Sequence, residues 1–546
     1  MGQNYLLIEG VNLDASIYDT NQLSIIRGSS FLYKEAVETI QNTFKAQLTP
    51  LSTGASVGLF KINATANTEK LKEKIITFIN EHHDYRHLSL LVETCQADNI
   101  LQAKQTLQTQ LRWRQLHALS QVPDKQVPDK QDTKQNHLFD SRPSGLEGVR
   151  IATRNLTKTI QGRERALSLS EWQRWNDGIS QKRYYYHDIA TESDLTFAKK
   201  LEHYHFAANI EELCSCDFYT QLNGKMAVIY IDGNGFGKRQ FKYLKAAIDQ
   251  GEDGTEAQMA FDHTIQRERI EFLTQTLKDF VNHHHYDDGM DDTTIRLETL
   301  LWGGDEMLFV LPAWLGFEFL QRFYSSAETW KLSDGAPLTH AAGIVFCKAK
   351  SPIRIIQKLA KTLVERVKDQ CSREQSAWDY MVLESMDYPT DTDLDEYFTT
   401  RYQQLATYRP TGHFINKTHW DEVSEHLDDL LSLTTAHQLH RLSEVLLKQG
   451  CAGTYNWQDL SLLADDKKMT ELSAQELQEQ RLLAVMPSSK ARKTFIELSQ
   501  QVAQELFNLN ILHSAPQRAW FWLHLLELWN YLLPKKSSLN TQEMAI

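Results

Sequence analysis

Two acidic motifs, each at the end of an apolar segment, are the residues best suited to do chemistry in this sequence. Asp232 ends the apolar segment 226–231, and Asp305 and Glu306 stand between two further short apolar segments. A carboxylate cannot hold a phosphate directly, because like charges repel, but a divalent cation between them removes the conflict. The residue types therefore predict a metal-dependent reaction of a phosphate-containing substrate.

The turn after Asp232 has the composition of a phosphate-binding loop. Three glycines within five residues let the backbone turn tightly and present its N–H groups. Amides at a strand-to-helix turn bind phosphate oxygens. The residues predicted to bind the nucleotide here are Gly233, Asn234, Gly235, Phe236, Gly237 and Lys238.

The second motif is predicted to be the turn of a β-hairpin. Gly303 and Gly304 allow positive φ in a two-residue turn. Both glycines are also predicted to bind the nucleotide. In a sheet whose first strand lies beside this hairpin, Asp232 and Asp305 converge. The predicted catalytic residues are Asp232, Asp305 and Glu306, and the predicted ligands of Mg²⁺ (or Mn²⁺) are Asp232, Gly233, Asp305 and Glu306.

The surrounding pattern predicts two units of the same kind. Apolar segments and helical periodicities follow the order strand, helix, hairpin, helix, strand in residues 4–117 and again from about residue 225. The predicted fold class is α+β, with two ferredoxin-like antiparallel βαββαβ sheets that carry their helices on one face, and an all-α C-terminal domain.

The chain is accordingly divided into five parts. Residues 121–130 repeat QVPDK in tandem, a polar stretch typical of a disordered linker. The predicted parts are a catalytically silent first unit (1–117), a disordered linker (118–144), an interdomain segment (145–222), a second unit with the active site (223–390) and a helical domain (395–546).

Composition narrows the functional classes. The 546 residues carry a net charge of −13, which argues against nonspecific coating of nucleic acid. Six scattered cysteines fit reduced thiols better than a disulfide framework, and only Cys214 and Cys216 form a close pair. The N-terminus lacks the features of a signal peptide, and the most apolar stretch, 519–533, is too short to span a membrane. The sequence predicts a cytoplasmic protein without membrane contact.

These motifs carry a resemblance to known families. YIDGNGFGK followed by LLWGGDEMLFV resembles the palm domain shared by GGDEF nucleotide cyclases and the large subunit of type III CRISPR effectors. The cyclases have a helix with an alanine and, eight residues later, a phosphate-binding lysine. Ala360 and Lys368 match that spacing, so the resemblance implies that Lys368 and Lys238 neutralise the β- and γ-phosphates.

The first unit is similar to the catalytically silent palm of the CRISPR subunit. Arg27 to Ser30 match an Arg-Gly-x-Ser stretch expected just before a helix. Where the second unit has GGDE, the first has residues 53–56, Thr-Gly-Ala-Ser, without an acid. The resemblance implies synthesis of a cyclic oligonucleotide signal from a nucleoside triphosphate, ATP above all, in antiviral defence. It also implies an RNA, a CRISPR-type ribonucleoprotein or another protein as partner, through the first unit or the helical tail.

Several features depart from that family. The chain begins at the first unit, without the usual HD nuclease domain, and His83-Asp84 stands alone in a loop, where a surface position is expected. The interdomain zinc ribbon is missing, and Glu306 replaces the second aspartate of GGDD. These differences favour a standalone or divergent relative over a standard effector subunit.

Two other hypotheses compete with a cyclic oligonucleotide synthetase, and only the first of them is non-enzymatic. The tandem units could form a nucleotide sensor or scaffold without turnover, although two carboxylates facing a triphosphate argue against it. A dimeric diguanylate cyclase needs two active units meeting face to face, whereas here one unit lacks the acids.

Four further clusters allow either a structural or a functional role. The run 182–186 (KRYYY) is a strand edge or a surface for phosphates and bases, and 283–285 (HHH) with nearby aspartates is a solvated loop or a metal site. The third cluster consists of basic residues that are either solvated or in contact with triphosphate or RNA: Lys348, Lys350 and Arg354. The fourth cluster consists of aromatic residues of the tail that either pack in its core or line a groove for a partner: Trp520, Trp522, Trp529 and Tyr531.

Overall fold

The computed structural model describes most of the chain. The described residues are 2–64, 66–116, 139–160, 162–217, 219–282, 294–371, 373–384, 389, 393–409, 413–414, 420–462 and 472–534. The predicted QVPDK linker and the predicted histidine-rich loop at 283–285 lie outside them. Among the described residues, no helix is both long and apolar enough to cross a membrane.

The first unit is a four-stranded antiparallel sheet with four helices. Its elements are β1 (Gln3–Gly10), α1 (Leu13–Ser16), α2 (Leu23–Thr43), β2 (Leu48–Thr53), β3 (Val57–Ile62), α3 (Thr68–Glu81), β4 (Leu90–Ala97) and α4 (Ile100–Leu116). The strand order is β2-β3-β1-β4, so the first strand lies beside the hairpin, as predicted. The Arg27–Ser30 stretch lies inside α2, not before a helix as predicted, because the helix begins at Leu23.

The predicted placement of the helices on one face is wrong for this sheet. Leu6 and Ile8 of β1 pack with α2 and α3, whereas Tyr5 and Leu7 pack with α4 on the opposite face. Successive residues of a strand point to opposite faces, so an unbroken apolar strand requires cover on both. α4, which follows the last strand, supplies the second cover.

The interdomain segment holds two small hairpins and a long helix. Its elements are β5 (Phe139–Pro143), β6 (Ile151–Thr153), β7 (Thr157–Ile160), β8 (Arg163–Ala166), α5 (Leu169–Ser193), α6 (Leu195–Leu201), β9 (His205–Phe206) and α7 (Ile210–Cys214). β5 forms a strand where the predicted disordered linker would end. A capping box of Ser168 and Glu171 begins α5.

Close packing of α5 against α2 joins this segment to the first unit. A Cβ on Gly28 would lie 1.8 Å from the Arg174 carbonyl oxygen, so only glycine permits this helix contact. Of the two predicted alternatives for the KRYYY run, the strand edge is wrong, and Arg183 and Tyr184 are exposed. The run belongs to α5, and Lys182, Tyr185 and Tyr186 are buried in it.

The second unit repeats the strand order of the first. Its elements are β10 (Lys225–Gly233), α8 (Phe236–Asp249), α9 (Thr255–Asn282), β11 (Thr294–Ile295), β12 (Glu298–Gly303), β13 (Glu306–Pro312), α10 (Ala313–Ala327), β14 (His340–Lys348), α11 (Ile353–Gln370) and β15 (Ala377–Val382). The strands are ordered β12-β13-β10-β14-β15, and β14 and β15 are parallel, so the predicted all-antiparallel sheet is wrong at this edge.

Helices cover both faces of this sheet too. A Cβ on Gly316 of α10 would lie 2.3 Å from that of Ala227, on the face that Ile344 shares. The neighbouring residue Gly343 instead faces α11, where a Cβ would lie 2.3 Å from the Ala360 carbonyl oxygen. α10 and α11 therefore lie on opposite faces, and α11 corresponds to α4 of the first unit.

The C-terminal part is helical, as predicted, apart from one short strand. Its elements are α12 (Leu394–Tyr402), a 3-10 helix (Gln403–Tyr408), β16 (His413–Phe414), α13 (Trp420–Ser432), α14 (Ala436–Gln449), α15 (Trp457–Leu462), α16 (Ala474–Ala484), α17 (Ser489–Phe507), α18 (Ala515–Glu527) and α19 (Trp529–Leu532). β16 extends the second sheet by pairing with β15. The chain is thus an α+β protein with a helical C-terminal region.

Candidate active site between the two units

The end of β10 and the β12–β13 hairpin bring the two predicted acidic motifs together. Asp232 lies directly opposite Glu306 in the antiparallel β10–β13 pair, and directly opposed side chains share a face of the sheet. The hairpin turns at Gly304 and Asp305, where Gly304 has a φ of 49°. The Gly233 amide donates to the Asp305 carbonyl oxygen at 3.2 Å, which fastens the turn to the end of β10.

The glycine-rich turn leads into the N-terminus of α8. Gly235 has a φ of 64° and is the residue before the first helical turn. The first four amides of a helix have no intrahelical partner, and here they belong to residues 235–238. The amides of Gly233 and Asn234 are already bound to backbone carbonyl oxygens. The donors left for a phosphate are thus those of residues 235–238.

Three residues of this turn differ in what they contact. The Asn234 side-chain amide donates to the Gln375 carbonyl oxygen at 2.9 Å and so fixes a neighbouring loop. The Phe236 ring lies where a Cβ on Gly233 would stand, 2.3 Å from it, which explains the glycine. Lys238 is exposed one turn into α8.

Lys368, predicted from the resemblance alone, does reach the carboxylates. Its Nζ lies 2.6 Å from Asp232 Oδ2, and both side chains are about nine-tenths buried. α11 can pass this close to the sheet because Gly343 lacks a side chain where the helix backbone at Ala360 crosses it. Eight residues further along the helix, about 12 Å, Lys368 stands at the strand ends.

The electrostatics of the site favour a cation between the carboxylates. Burial, and then the charge of Asp232, raise the pKa of Asp305 to about 6. Burial also raises the pKa of Asp232, although Lys368 opposes the shift. Since like charges brought together disfavour ionisation, a positive charge placed between the two groups would relieve the repulsion.

The donor set fits Mg²⁺, although it does not complete a metal site. Carboxylate oxygens of Asp232, Asp305 and Glu306 are the ligand type that Mg²⁺ prefers, and Mg²⁺ commonly takes only one or two of them besides waters and substrate phosphates. No group of three or more His, Cys, Asp or Glu side chains among the described residues is arranged to hold a metal alone. Substrate phosphates would have to complete the shell.

Two basic residues near the site were not predicted. Lys361 lies 5.8 Å from the centre of the Tyr230 ring and adds positive charge near Asp232. Its position two turns before Lys368 on the same helix face was the available signal. Arg269 of α9 is buried, stacks over Trp302 at 4.3 Å and donates to the Gly304 carbonyl oxygen. The position of Arg269 in the sequence gave no sign that it contacts the hairpin turn.

The first unit forms the opposite wall of the site. Its hairpin tip, residues 53–56, packs against the GGDE turn, and a Cβ on Gly303 would lie 3.0 Å from the Ala55 Cβ. A cavity of about 320 Å³ lies between the two tips and is lined by residues of both units, among them Thr53, Arg269 and Asp305. The acid-free tip of the first unit and the acidic tip of the second therefore share one cavity.

Burial and exposure describe the other candidate clusters as follows. Trp520 and Trp522 are buried in the helical core, so these two do not line an open groove. Lys348, Lys350 and Arg354 are exposed. The His83 side chain is 70% exposed, as predicted for a surface position. Each of the six cysteines, all of them described, is a thiol.

Comparison with known proteins gave matches among structures only. No family model matches the sequence, and no curated protein matches it. The chain is similar to Csm1 from T. onnurineus, with 12% identity and a TM-score of 0.47 over 96% of this chain and 70% of that one. It is similar to a Csm1–Csm4 cassette in complex with cA4, with 12% identity and a TM-score of 0.43 over 91% and 70%.

A third similar structure comes from another type III complex. The type III-B Cmr-beta complex in its apo state matches with 9% identity and a TM-score of 0.43, over 86% of this chain and 76% of that one. These are similarities of structure at 9 to 12% sequence identity, and each of the three TM-scores is below 0.5.

Proposed function

We propose that this protein is a Mg²⁺-dependent nucleotidyltransferase that makes a cyclic oligonucleotide from a nucleoside triphosphate. The observation that carries the proposal is the convergence of Asp232 and Asp305 beside Lys368 and the open amides of α8. Two carboxylates, a buried cation and a helix N-terminus together suit a metal-bound triphosphate. In this proposal the two units are tandem palm domains, the first of them catalytically silent.

Each group has a distinct task in the proposed reaction. Asp232 and Asp305, with Glu306 assisting, hold Mg²⁺, which when bound supplies positive charge to activate a ribose 3′-hydroxyl and stabilise the leaving pyrophosphate. The amides of residues 235–238 orient the triphosphate, and Lys368 contacts its phosphates. The cavity between the hairpin tips, which Asp305 lines, offers space for part of the substrate.

ATP is the proposed substrate and an RNA-guided complex the proposed setting. Similar structures include Csm1–Csm4 cassettes with ATP, cA3 and cA4, and a Cmr-beta complex. By analogy, the product would be a cyclic oligoadenylate that signals in antiviral defence, and a second subunit or an RNA would be the partner. The Glu306 carboxylate reaches one methylene further than an aspartate, which permits a different ring size.

The first experiment is turnover with each labelled nucleoside triphosphate and Mg²⁺ or Mn²⁺, with products resolved by chromatography and mass. We expect pyrophosphate and a cyclic product from ATP, and a loss of at least about 100-fold in Asp305→Ala. Asp249→Asn, an exposed acid at the end of α8, is the control that should keep full activity. Unchanged product formation by Asp305→Ala would remove the assignment.

The second candidate is a nucleotide sensor or scaffold without turnover. One observation favours the sensor. When no nucleotide is bound, Lys368 already pairs with Asp232, so this carboxylate is occupied. ATP binding without turnover, even with target RNA and cell extract added, would support the sensor. Pyrophosphate release would exclude it.

A further inference from the structure

We propose that one face of α9 positions the catalytic turn by bracing it against the silent hairpin tip. The face consists of Asp262, Gln266 and Arg269, which are named the α9 brace below. This inference rests on the proposed function, since it assigns positioning residues to the same metal site. It gives the unit without acids a defined part in the reaction.

The brace holds the first unit through the two residues nearest its hairpin tip. Asp262 accepts from the Ser52 hydroxyl at 2.8 Å and from the Thr53 amide at 3.3 Å. The Gln266 side-chain amide donates to the Thr53 carbonyl oxygen at 2.8 Å and to Asp262 at 3.1 Å. Both backbone polar groups of Thr53 are thus bound by a helix of the other unit.

The same face holds the second unit through the catalytic turn itself. Arg269 donates to the carbonyl oxygen of Gly304, and its guanidinium is stacked over Trp302. The next carbonyl oxygen, that of Asp305, accepts from the Gly233 amide. Both carbonyl oxygens of the two-residue turn are therefore fixed, one by α9 and one by β10.

Helix geometry makes these contacts one rigid connection. Residues 262, 266 and 269 are spaced by four and then three positions, so they share one face of α9. They span about 10 Å along the helix, enough to reach from one hairpin to the other. Arg269 is 4% exposed, and Phe272, three residues on, packs on Phe319 of α10, so the helix cannot shift without disturbing the core.

The consequence concerns the carboxylate of Asp305. Its distance from Asp232 depends on how the turn is held, and a displacement of about 1 Å can cost about 100-fold in rate. If the brace acts in this way, a substitution of Ser52 in the first unit lowers turnover, although Ser52 is not a predicted metal ligand. A residue that only stabilises the fold would lower the melting temperature without this effect.

The test compares Ser52→Ala, Asp262→Asn and Arg269→Lys with the exposed control Arg267→Gln on the same helix. For the full chain with ATP and Mg²⁺, we expect kcat to fall about 10-fold with Asp262→Asn or Arg269→Lys and less with Ser52→Ala, at nearly unchanged KM. The control should match the wild type. Arg269→Lys is chosen over Arg269→Ala because it keeps the charge and a donor at this buried position.

A second readout separates failure of the brace from failure of the proposed function. Mn²⁺ binding without nucleotide, followed by electron paramagnetic resonance, should weaken about 10-fold in Asp262→Asn and Arg269→Lys. This arm decides the inference even if the wild type makes no product. Wild-type kcat and Mn²⁺ affinity in both variants would overturn the brace and leave the function standing, and a wild type that binds no Mn²⁺ would overturn both.

Discussion

Lys368 Nζ lies 2.6 Å from Asp232 Oδ2, so a basic residue from the helix on one face of the sheet neutralises a carboxylate at the strand end. This pair connects the two predicted halves of the site, the phosphate-binding side and the metal-binding side. In the proposed reaction, Lys368 also contacts the phosphates, for which its ammonium group has further N–H donors besides the one directed at Asp232. Without ligand, Lys368 compensates the charge of Asp232, whereas Asp305 remains under the repulsion of its neighbouring carboxylates.

Replacing Lys368 should separate its two roles. Lys368→Gln removes a charge-assisted contact to the phosphates, so we expect the Kd for ATP to rise about 10- to 100-fold. The same change frees Asp232, so Mn²⁺ should bind more tightly in the absence of nucleotide. Calorimetric titration with each ligand checks both effects, and Lys358→Gln, exposed on the same helix, should change neither. Weaker Mn²⁺ binding in Lys368→Gln would contradict the assignment.

The raised pKa of Asp305 predicts a pH dependence of stability in the metal-free protein. Its pKa is about 6 in the folded chain and near 4 when unfolded, so the folded state holds more protons between those values. The contribution of Asp305 to the free energy of unfolding should therefore be largest below about pH 4 and be lost, by roughly 1–3 kcal/mol, as the pH rises to about 7. Urea titrations should show a shallower fall in Asp305→Asn, and equal slopes would disprove the shift.

Gly343 should be indispensable for the docking of α11. Gly343→Val places atoms against the Ala360 carbonyl oxygen, where even a Cβ would lie 2.3 Å away. We expect a loss of about 1–3 kcal/mol in stability or more, together with reduced turnover as Lys368 moves. Thermal unfolding checks the first effect. Gly237→Ala, where a Cβ meets nothing within 4 Å, should leave the stability within about 1 kcal/mol of wild type.

A buried ion triad joins the first unit, α5 and the second sheet. Glu298 accepts from Arg27 and, at 2.7 Å, from Lys182, and all three side chains are buried. Glu298→Gln leaves two buried cations without their counter-charge, so we expect a loss of about 3–5 kcal/mol. Glu268→Gln, whose partner Arg267 is exposed, should cost under about 1 kcal/mol in the same urea titration. Equal losses in both variants would contradict the triad.

The sequence predicted those elements whose pattern is local. Residues 226–231 of β10 are apolar throughout, a pattern that is typical of a strand covered on both faces. The predicted fold nevertheless had its helices on one face. β15 was not predicted, because Asp379 interrupts its apolar pattern; in the fold that carboxylate is buried between Arg366 and Arg409. The tyrosines of the KRYYY run favour strands, but contact with α2 keeps them in a helix.

Residue types and spacing were enough to predict the acidic motifs and the glycine turns. Lys368 was predicted from the sequence through the family resemblance. These signals are local, since a strand end, a tight turn and a helix face are each set by a few neighbouring residues. Only the tertiary structure decided that the silent hairpin adjoins the active one and that Arg269 is buried while Arg267, two residues earlier, is exposed. Burial depends on what packs against a helix, and α9 packs both on the nearby Trp302 and on the hairpin at Ser52, some 200 residues away in the chain.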